Sequence, residues 1–207
     1  MATKPKKRGK FITLEGMDGA GKSTHIPTII ATLKARDIEV VSTREPGGTK
    51  LGEQLRALLL HDAMHPETET LLMFAARREH IDSVIEPALK RGVYVLSDRF
   101  TDATYAYQCG AKGISSNKIK QLEKWVQGKL QPDLTLLFDV PVEISMKRLT
   151  TAREPDKFER EDAKFFEKLR QAYLTRASEN PARFHVINAN QALDKVKVLV
   201  EEVISTI

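Results

Sequence analysis

Residues 11–34 read FITLEGMDGAGKSTHIPTIIATLK: an apolar run, a glycine-rich turn and an amphipathic stretch in immediate succession. The turn carries G-x-x-x-x-G-K-S from Gly16 to Ser23, and it commits the chain to a strand–turn–helix unit. Glycines 16, 19 and 21 let the backbone bend tightly and turn its N–H groups inward on an anion. The helix expected from about Lys22 brings the positive end of its dipole to the same spot. In this pattern the lysine, Lys22, reaches the β- and γ-phosphates of a nucleoside triphosphate and the Ser23 hydroxyl ligates Mg²⁺. The expected phosphate-binding residues are therefore Gly16, Met17, Asp18, Gly19, Ala20, Gly21, Lys22, Ser23 and Thr24.

Around this unit the chain alternates. Short apolar runs (KFITLE, EVVST, VYVLS, LTLLFDV and FHVIN) are separated by longer helical patterns such as KLGEQLRALLL, ETETLLMFAARREHIDSVIEPALK and EDAKFFEKLRQAYLTRA. Near-continuous apolar runs suit strands covered on both faces. Strands alternating with helices imply right-handed crossovers, so the expectation is an α/β fold with a parallel sheet of about five strands and helices on both faces. Ligands in such sheets bind beyond the carboxyl ends of the strands. Two runs end there in an acid, at Asp98 and Asp139. Asp98 is followed at once by Arg99 and is the expected partner of Ser23 in holding the metal. Asp139 is read as a polar start to the next helix, ahead of Pro141.

At 207 residues the chain fits one domain, with no repeat or low-complexity linker to divide it. The net charge of +5 would point to nucleic acid were it spread over the body. Lys4, Lys6, Lys7, Arg8 and Lys10 carry it, and the remaining 28 Lys and Arg balance the 28 Asp and Glu. Residues 1–10 are accordingly expected to be a disordered basic tail, residues 11–207 the folded domain, and no nucleic-acid partner follows. No apolar run reaches 18 residues, so no membrane partner is expected. A single cysteine, Cys109, precludes an internal disulfide and fits a cytoplasmic setting. His61 and His65 lack the glutamate of an H-E-x-x-H zinc motif, and NKIK at Asn117–Lys120 lacks the aspartate of a guanine-binding N-K-x-D.

Arginines gather after the strands: Arg44 in TREPGG, Arg56 on the next helical stretch, Arg99 after the third run. Guanidinium forks suit a second phosphate-bearing substrate. The segments EGMDGAGKST, TREPGGT, LLMFAARREH, DRFTDATYAYQ and PDLTLLFDV occur in order, and together they resemble the bacterial thymidylate kinase family. The resemblance runs from about Phe11 to the C-terminus. It implies a P-loop kinase fold and phosphorylation of dTMP to dTDP with ATP as donor and Mg²⁺ as cofactor. It also implies a homodimer built through packed helices, and a short lid at about 150–161. By the same resemblance Phe74 and Arg78 form the base pocket, Phe74 stacking on thymine and Arg78 donating to O4. Thr104 and Gln108 address the base edge, and Tyr107 packs beside the deoxyribose. Asp18 lies near sugar and metal, and Asp18, Arg44, Arg56 and Arg99 meet the acceptor. Catalysis is assigned to Lys22, Asp18, Arg99 and the lid arginine Arg153, with Arg160 and Lys157 as rivals to Arg153. Ala103 replaces a family serine, Cys109 a glycine and Lys112 an arginine.

Overall fold

All five apolar runs become parallel strands in the computed structural model, which describes residues 7–149 and 156–207. They are β1 (Phe11–Glu15), β2 (Val40–Arg44), β3 (Tyr94–Asp98), β4 (Leu134–Asp139) and β5 (Phe184–Asn188), in the spatial order β2-β3-β1-β4-β5. Register sets Leu14 beside Asp98 and Arg44 beside Asp98, so the carboxyl ends of β1, β2 and β3 finish together. The helices are α1 (Lys22–Lys34), α2 (Lys50–His61), α3 (Pro66–His80), α4 (Glu86–Lys90), α5 (Thr101–Thr104), α6 (Ser116–Gln127), α7 (Val142–Leu149), α8 (Ala163–Glu179) and α9 (Leu193–Ser205). A π-helical turn, Ile81–Ile85, joins α3 to α4, and a second, Tyr105–Ala111, extends α5.

Burial explains the apolar runs, with one refinement. Every residue of the central strand β1 is buried, including Thr13, whose hydroxyl is 2.9 Å from that of Thr135 on β4. The edge strands are different: β2 is only partly covered, and Val186 on β5 is exposed. An edge strand has one neighbour and can leave a face to solvent, so double coverage holds for the inner three alone. Capping fixes the helix starts. Thr49 accepts from Gly52 N–H ahead of α2, Asp162 from Phe165 N–H ahead of α8, and Pro66 occupies the first turn of α3, where its missing N–H costs nothing.

The tail boundary moves. Gly9 N–H donates to Leu89 O, Lys10 O accepts from Val95 N–H, and Arg8 pairs with Asp133 at 2.7 Å. The domain therefore begins by residue 9 rather than 11. Gly9 lies so close to Val93 that a Cβ there would sit 2.0 Å from its carbonyl oxygen. Asp139 turns out to be more than the start of a helix: its carboxylate takes two hydrogen bonds from Arg170 of α8, at 2.7 and 2.8 Å.

Glu15, the last residue of β1, is fully buried beneath the strand ends and accepts from Phe100 N–H and Tyr173 OH. Burial, then repulsion from Asp102, pushes its carboxyl from 4.5 up to about 8. The folded chain thus keeps a proton that the unfolded chain releases between those two values, so stability falls as pH rises through the window. The slope is about 1.4 kcal/mol per pH unit. Glu15→Gln removes this titration. Thermal melts of wild type and variant are expected to diverge in favour of the variant as pH rises from 5 to 8, and parallel curves over that range would contradict the assignment.

Candidate active site

The turn at 16–23 folds as its sequence demands. Gly16 has φ of 130° and its Cβ would meet Phe138 O at 2.4 Å; Gly19 has φ of 75° and its Cβ would meet Ser145 O at 2.6 Å. Both positions need left-handed backbone and contact with a neighbouring chain segment, which only glycine tolerates. The turn borders a cleft of about 530 Å³ walled by Asp18 to His25, Arg44, Glu45, Arg56, Asp98 and Arg99, together with Arg148, Ala189, Gln191, Leu193 and Val196. Gly16 and Met17 stand behind this wall. Met17 is a buried core side chain, and the carbonyls of both residues accept from Lys22 Nζ, at 3.0 and 2.9 Å.

A second, narrower slot opens beside the cleft. It is lined by Pro46, Leu60, Met73, Arg77, Phe100, Ala103, Thr104, Tyr107, Gln108, Asp156 and Phe158. Asp18, Glu45, Arg56 and Arg99 wall both spaces, so the two meet at a charged junction. Arg99 anchors it. Its φ of 73° is a strained conformation for a non-glycine residue, held by a 2.6 Å bond to Asp18, a 3.0 Å bond to Tyr173 OH and its N–H on Leu14 O. Burial disfavours the Arg99 charge, yet Asp18 and neighbouring groups raise its pKa well above the ordinary value. Burial also acts against an ionised Asp18, but Arg99 and Lys22 hold its carboxyl well below the usual range. Lys22 and Arg56 are both lowered, first by burial and then by a neighbouring arginine. Positive groups that weaken one another are packed here, an arrangement an anion relaxes.

Two buried side-chain polar atoms among the described residues have no hydrogen-bond partner: Asp98 Oδ1 and Arg77 Nη1. Asp98 lines the cleft and Arg77 the slot. Asp98 Oδ2 accepts from Ser23 Oγ at 3.2 Å, so β3 and α1 do bring the expected metal-holding pair together. Hard oxygen donors with an unused carboxylate oxygen fit Mg²⁺.

The pair expected to form the base pocket, Phe74 and Arg78, is not on the wall of the slot. Arg78 points away from the slot: it donates to Val126 O at 2.6 Å and to Asp82 at 3.4 Å, with its side chain 45% exposed. Phe74 is buried in the core, its ring 4.9 Å from the Arg77 guanidinium, and is not on the slot wall. Met73 and Arg77, equally spaced i, i+4, line the slot instead. A step of one residue turns a helix by about 100°, enough to exchange one face for another. Arg77 is 2% exposed and fixed by Glu45 at 2.7 Å and Thr104 Oγ1 at 3.0 Å. Glu45 is held in turn by His80 Nδ1 at 2.9 Å. Glu45, Met73, Arg77 and Phe100 carried no motif signal beyond lying within quoted segments, and Phe158 lies only within the expected lid span.

Thr104, Tyr107 and Gln108 do line the slot, Tyr107 OH donating to Asp18 at 2.8 Å. Arg44 lines the cleft while paired with Glu53 at 2.8 Å, and Arg56 donates to Pro46 O at 2.9 Å. Arg153 lies outside the described residues. Of its rivals, Lys157 is drawn away from the cleft onto Glu69 at 2.9 Å, and Arg160 borders a small recess with Leu60 and His61.

Comparison with known proteins shows the family. The thymidylate kinase family model matches residues 14–200. The thymidylate kinase of Methylobacillus flagellatus is 66% identical over 190 residues, 92% of this chain and 94% of that protein. That of Cupriavidus metallidurans is 63% identical over 200 residues, 97% of this chain and all of its own length. The crystal structure of thymidylate kinase from Ehrlichia chaffeensis superposes with a TM-score of 0.75 at 34% identity, covering 95% of this chain and 98% of that one. A family model matching most of the length, with relatives more than 60% identical over nearly the whole chain, places this chain in the thymidylate kinase family.

Proposed function

We infer that the chain transfers the γ-phosphoryl group of ATP to dTMP, giving dTDP, with the two nucleotides lying tail to tail across the shared junction. The observation that carries this reading is the meeting of cleft and slot at Asp18, Glu45, Arg56 and Arg99. ATP occupies the cleft. The turn from Gly19 to Ser23 and the start of α1 border its phosphates, Lys22 neutralises the β- and γ-groups, and Ser23 with Asp98 would hold Mg²⁺. The ion, when bound, supplies charge to the migrating phosphoryl group. Arg44, Arg56 and Arg99 receive the acceptor phosphate, which is already an anionic nucleophile and needs no strong base. Arg153 keeps the proposed role of lid cation bridging donor and acceptor.

In the slot, Arg77 Nη1 donates to O4 of the base. Thymine offers an acceptor there and cytosine an amino donor, so cytosine is refused. Tyr107, tied to Asp18, packs beside the sugar. The apolar wall of Met73, Leu60 and Phe158 suits the thymine methyl, whose loss costs roughly 1–3 kcal/mol. Assayed with ATP against dTMP, dUMP, UMP, CMP and thymidine, the enzyme is expected to prefer dTMP. dUMP should fall roughly 10- to 200-fold lower in kcat/KM, and CMP and thymidine should give no turnover. Equal rates with CMP would contradict the reading.

A homodimer is also proposed. Leu51 and Leu58 on α2, Leu71 on α3 and Trp125 on α6 are exposed on helices that pack side by side, α3 against both α2 and α6. Covering such a face favours association. A sedimenting mass of one chain at micromolar concentration would contradict it. Among the described residues no helix is long and apolar enough to cross a membrane.

A further inference from the structure

One stripe of α3, at i, i+4 and i+8, carries Glu69, Met73 and Arg77. Met73 and Arg77 line the slot. Glu69 sits one turn back and is 1% exposed. A buried carboxylate there needs partners, and it has three: Gln108 Nε2 at 3.0 Å, Lys112 Nζ at 2.9 Å to both oxygens, and Lys157 Nζ at 2.9 Å. Burial alone would push its carboxyl up, but the hydrogen bonds from Lys112, Gln108 and Lys157 hold it below the ordinary value. It is therefore ionised at neutral pH and can only accept.

We propose that Glu69 is a positioning residue that sets which base the slot accepts, by fixing the orientation of the Gln108 side-chain amide. An amide can present either its oxygen or its NH₂ group to a ligand, and the two ends differ little in shape. Facing an acceptor-only carboxylate, Gln108 must turn its NH₂ inward, and its Oε1, which has no partner among the described residues, becomes the group offered to the slot. Oε1 accepts from N3–H of thymine, while Arg77 Nη1 donates to O4. Donor and acceptor are thereby fixed in the order that matches a thymine or uracil edge. Cytosine, with an acceptor at N3 and a donor at N4, mismatches at both. Arg77 alone gives one of these two mismatches; Glu69, acting through Gln108, supplies the other. The inference rests on dTMP as acceptor.

The test uses the full chain with Glu69→Gln, a change that retains shape but lets the amide pair adopt either orientation. Discrimination is the dissociation constant of dCMP over that of dTMP, measured by calorimetry, alongside steady-state kinetics. The expected result is a fall in discrimination of about tenfold, a raised KM for dTMP, and kcat and the KM for ATP within about twofold of wild type. In a Gln108→Ala background the same substitution should change discrimination no further, since the group it orients is gone. A merely structural role would instead give additive losses in the two backgrounds. Glu69→Asp, which retains the charge, should keep most of the discrimination, and Glu69→Ala takes the place of Glu69→Gln if that variant fails to fold. Unchanged discrimination in the variant that removes the charge, or additive losses, overturns the inference. Failure of the wild-type chain to phosphorylate dTMP would overturn the proposed function instead, which separates the two.

Discussion

Replacement of Lys22 by alanine lowers kcat about a thousandfold or more while the folded state persists. Removing a single preorganised donor from a charge-stabilising site elsewhere costs about 10²–10³ in rate, and Lys22 carries a full charge. Its side chain is only 5% exposed, and its ammonium touches Gly16 O and Met17 O and lies 3.9 Å from Asp18. These contacts hold the lysine over the turn without supporting any distant part of the fold, so the melting temperature should shift by only a few degrees. Single-turnover kinetics with saturating ATP and dTMP, paired with thermal melts, checks both halves. Residual activity above a tenth of wild type would mean the turn grips a phosphate without lowering the barrier to its transfer.

The second large effect separates two adjacent arginines. Arg77→Lys keeps a positive charge beside Glu45 but shortens the side chain and removes the planar fork. The expected outcome is a KM for dTMP raised about 10- to 100-fold, equivalent to the ~1.5–3 kcal/mol of a hydrogen bond to a charged group. The KM for ATP should hold. Arg78→Ala, by contrast, removes an exposed side chain whose partners are Val126 O and Asp82, and should leave both constants within about twofold. Arg77→Ala is a poorer probe, because it strands the buried Glu45 carboxylate and costs stability of about 3–5 kcal/mol. Should Arg78→Ala weaken dTMP and Arg77→Lys spare it, the helix face would be wrongly assigned.

That contrast also shows where sequence carries information and where it does not. The glycine-rich turn was fully legible, because its φ angles and close approaches admit no other residue. The five strands were legible as apolar runs, and Asp98 with Ser23 followed from strand ends converging. On α3 the pair expected at the base, Phe74 and Arg78, has the spacing of the slot-lining pair Met73 and Arg77 but not its phase. Residues 74, 76, 77 and 80 are all buried, so Phe74 and Arg77 look equally inward and the amphipathic pattern cannot choose between faces. What decides is packing: Phe74 joins the core under the Arg77 guanidinium, and Arg77 is locked by Glu45, a residue far away in sequence. The Glu69 cluster was hidden for the same reason, since Gln108, Lys112 and Lys157 reach it from separate segments. The segment after β3 likewise folds as α5 and a π-helical turn, which places Thr104, Tyr107 and Gln108 on one wall although no helical period announced it.

The direct measurement is a crystal structure of the chain soaked with dTMP and a non-hydrolysable ATP analogue. The thymine O4 should lie within hydrogen-bonding distance of Arg77 Nη1, with the two phosphate tails meeting between Lys22 and Arg99. A base seated outside the slot, or an acceptor phosphate remote from Arg44, Arg56 and Arg99, would contradict tail-to-tail transfer across the shared junction.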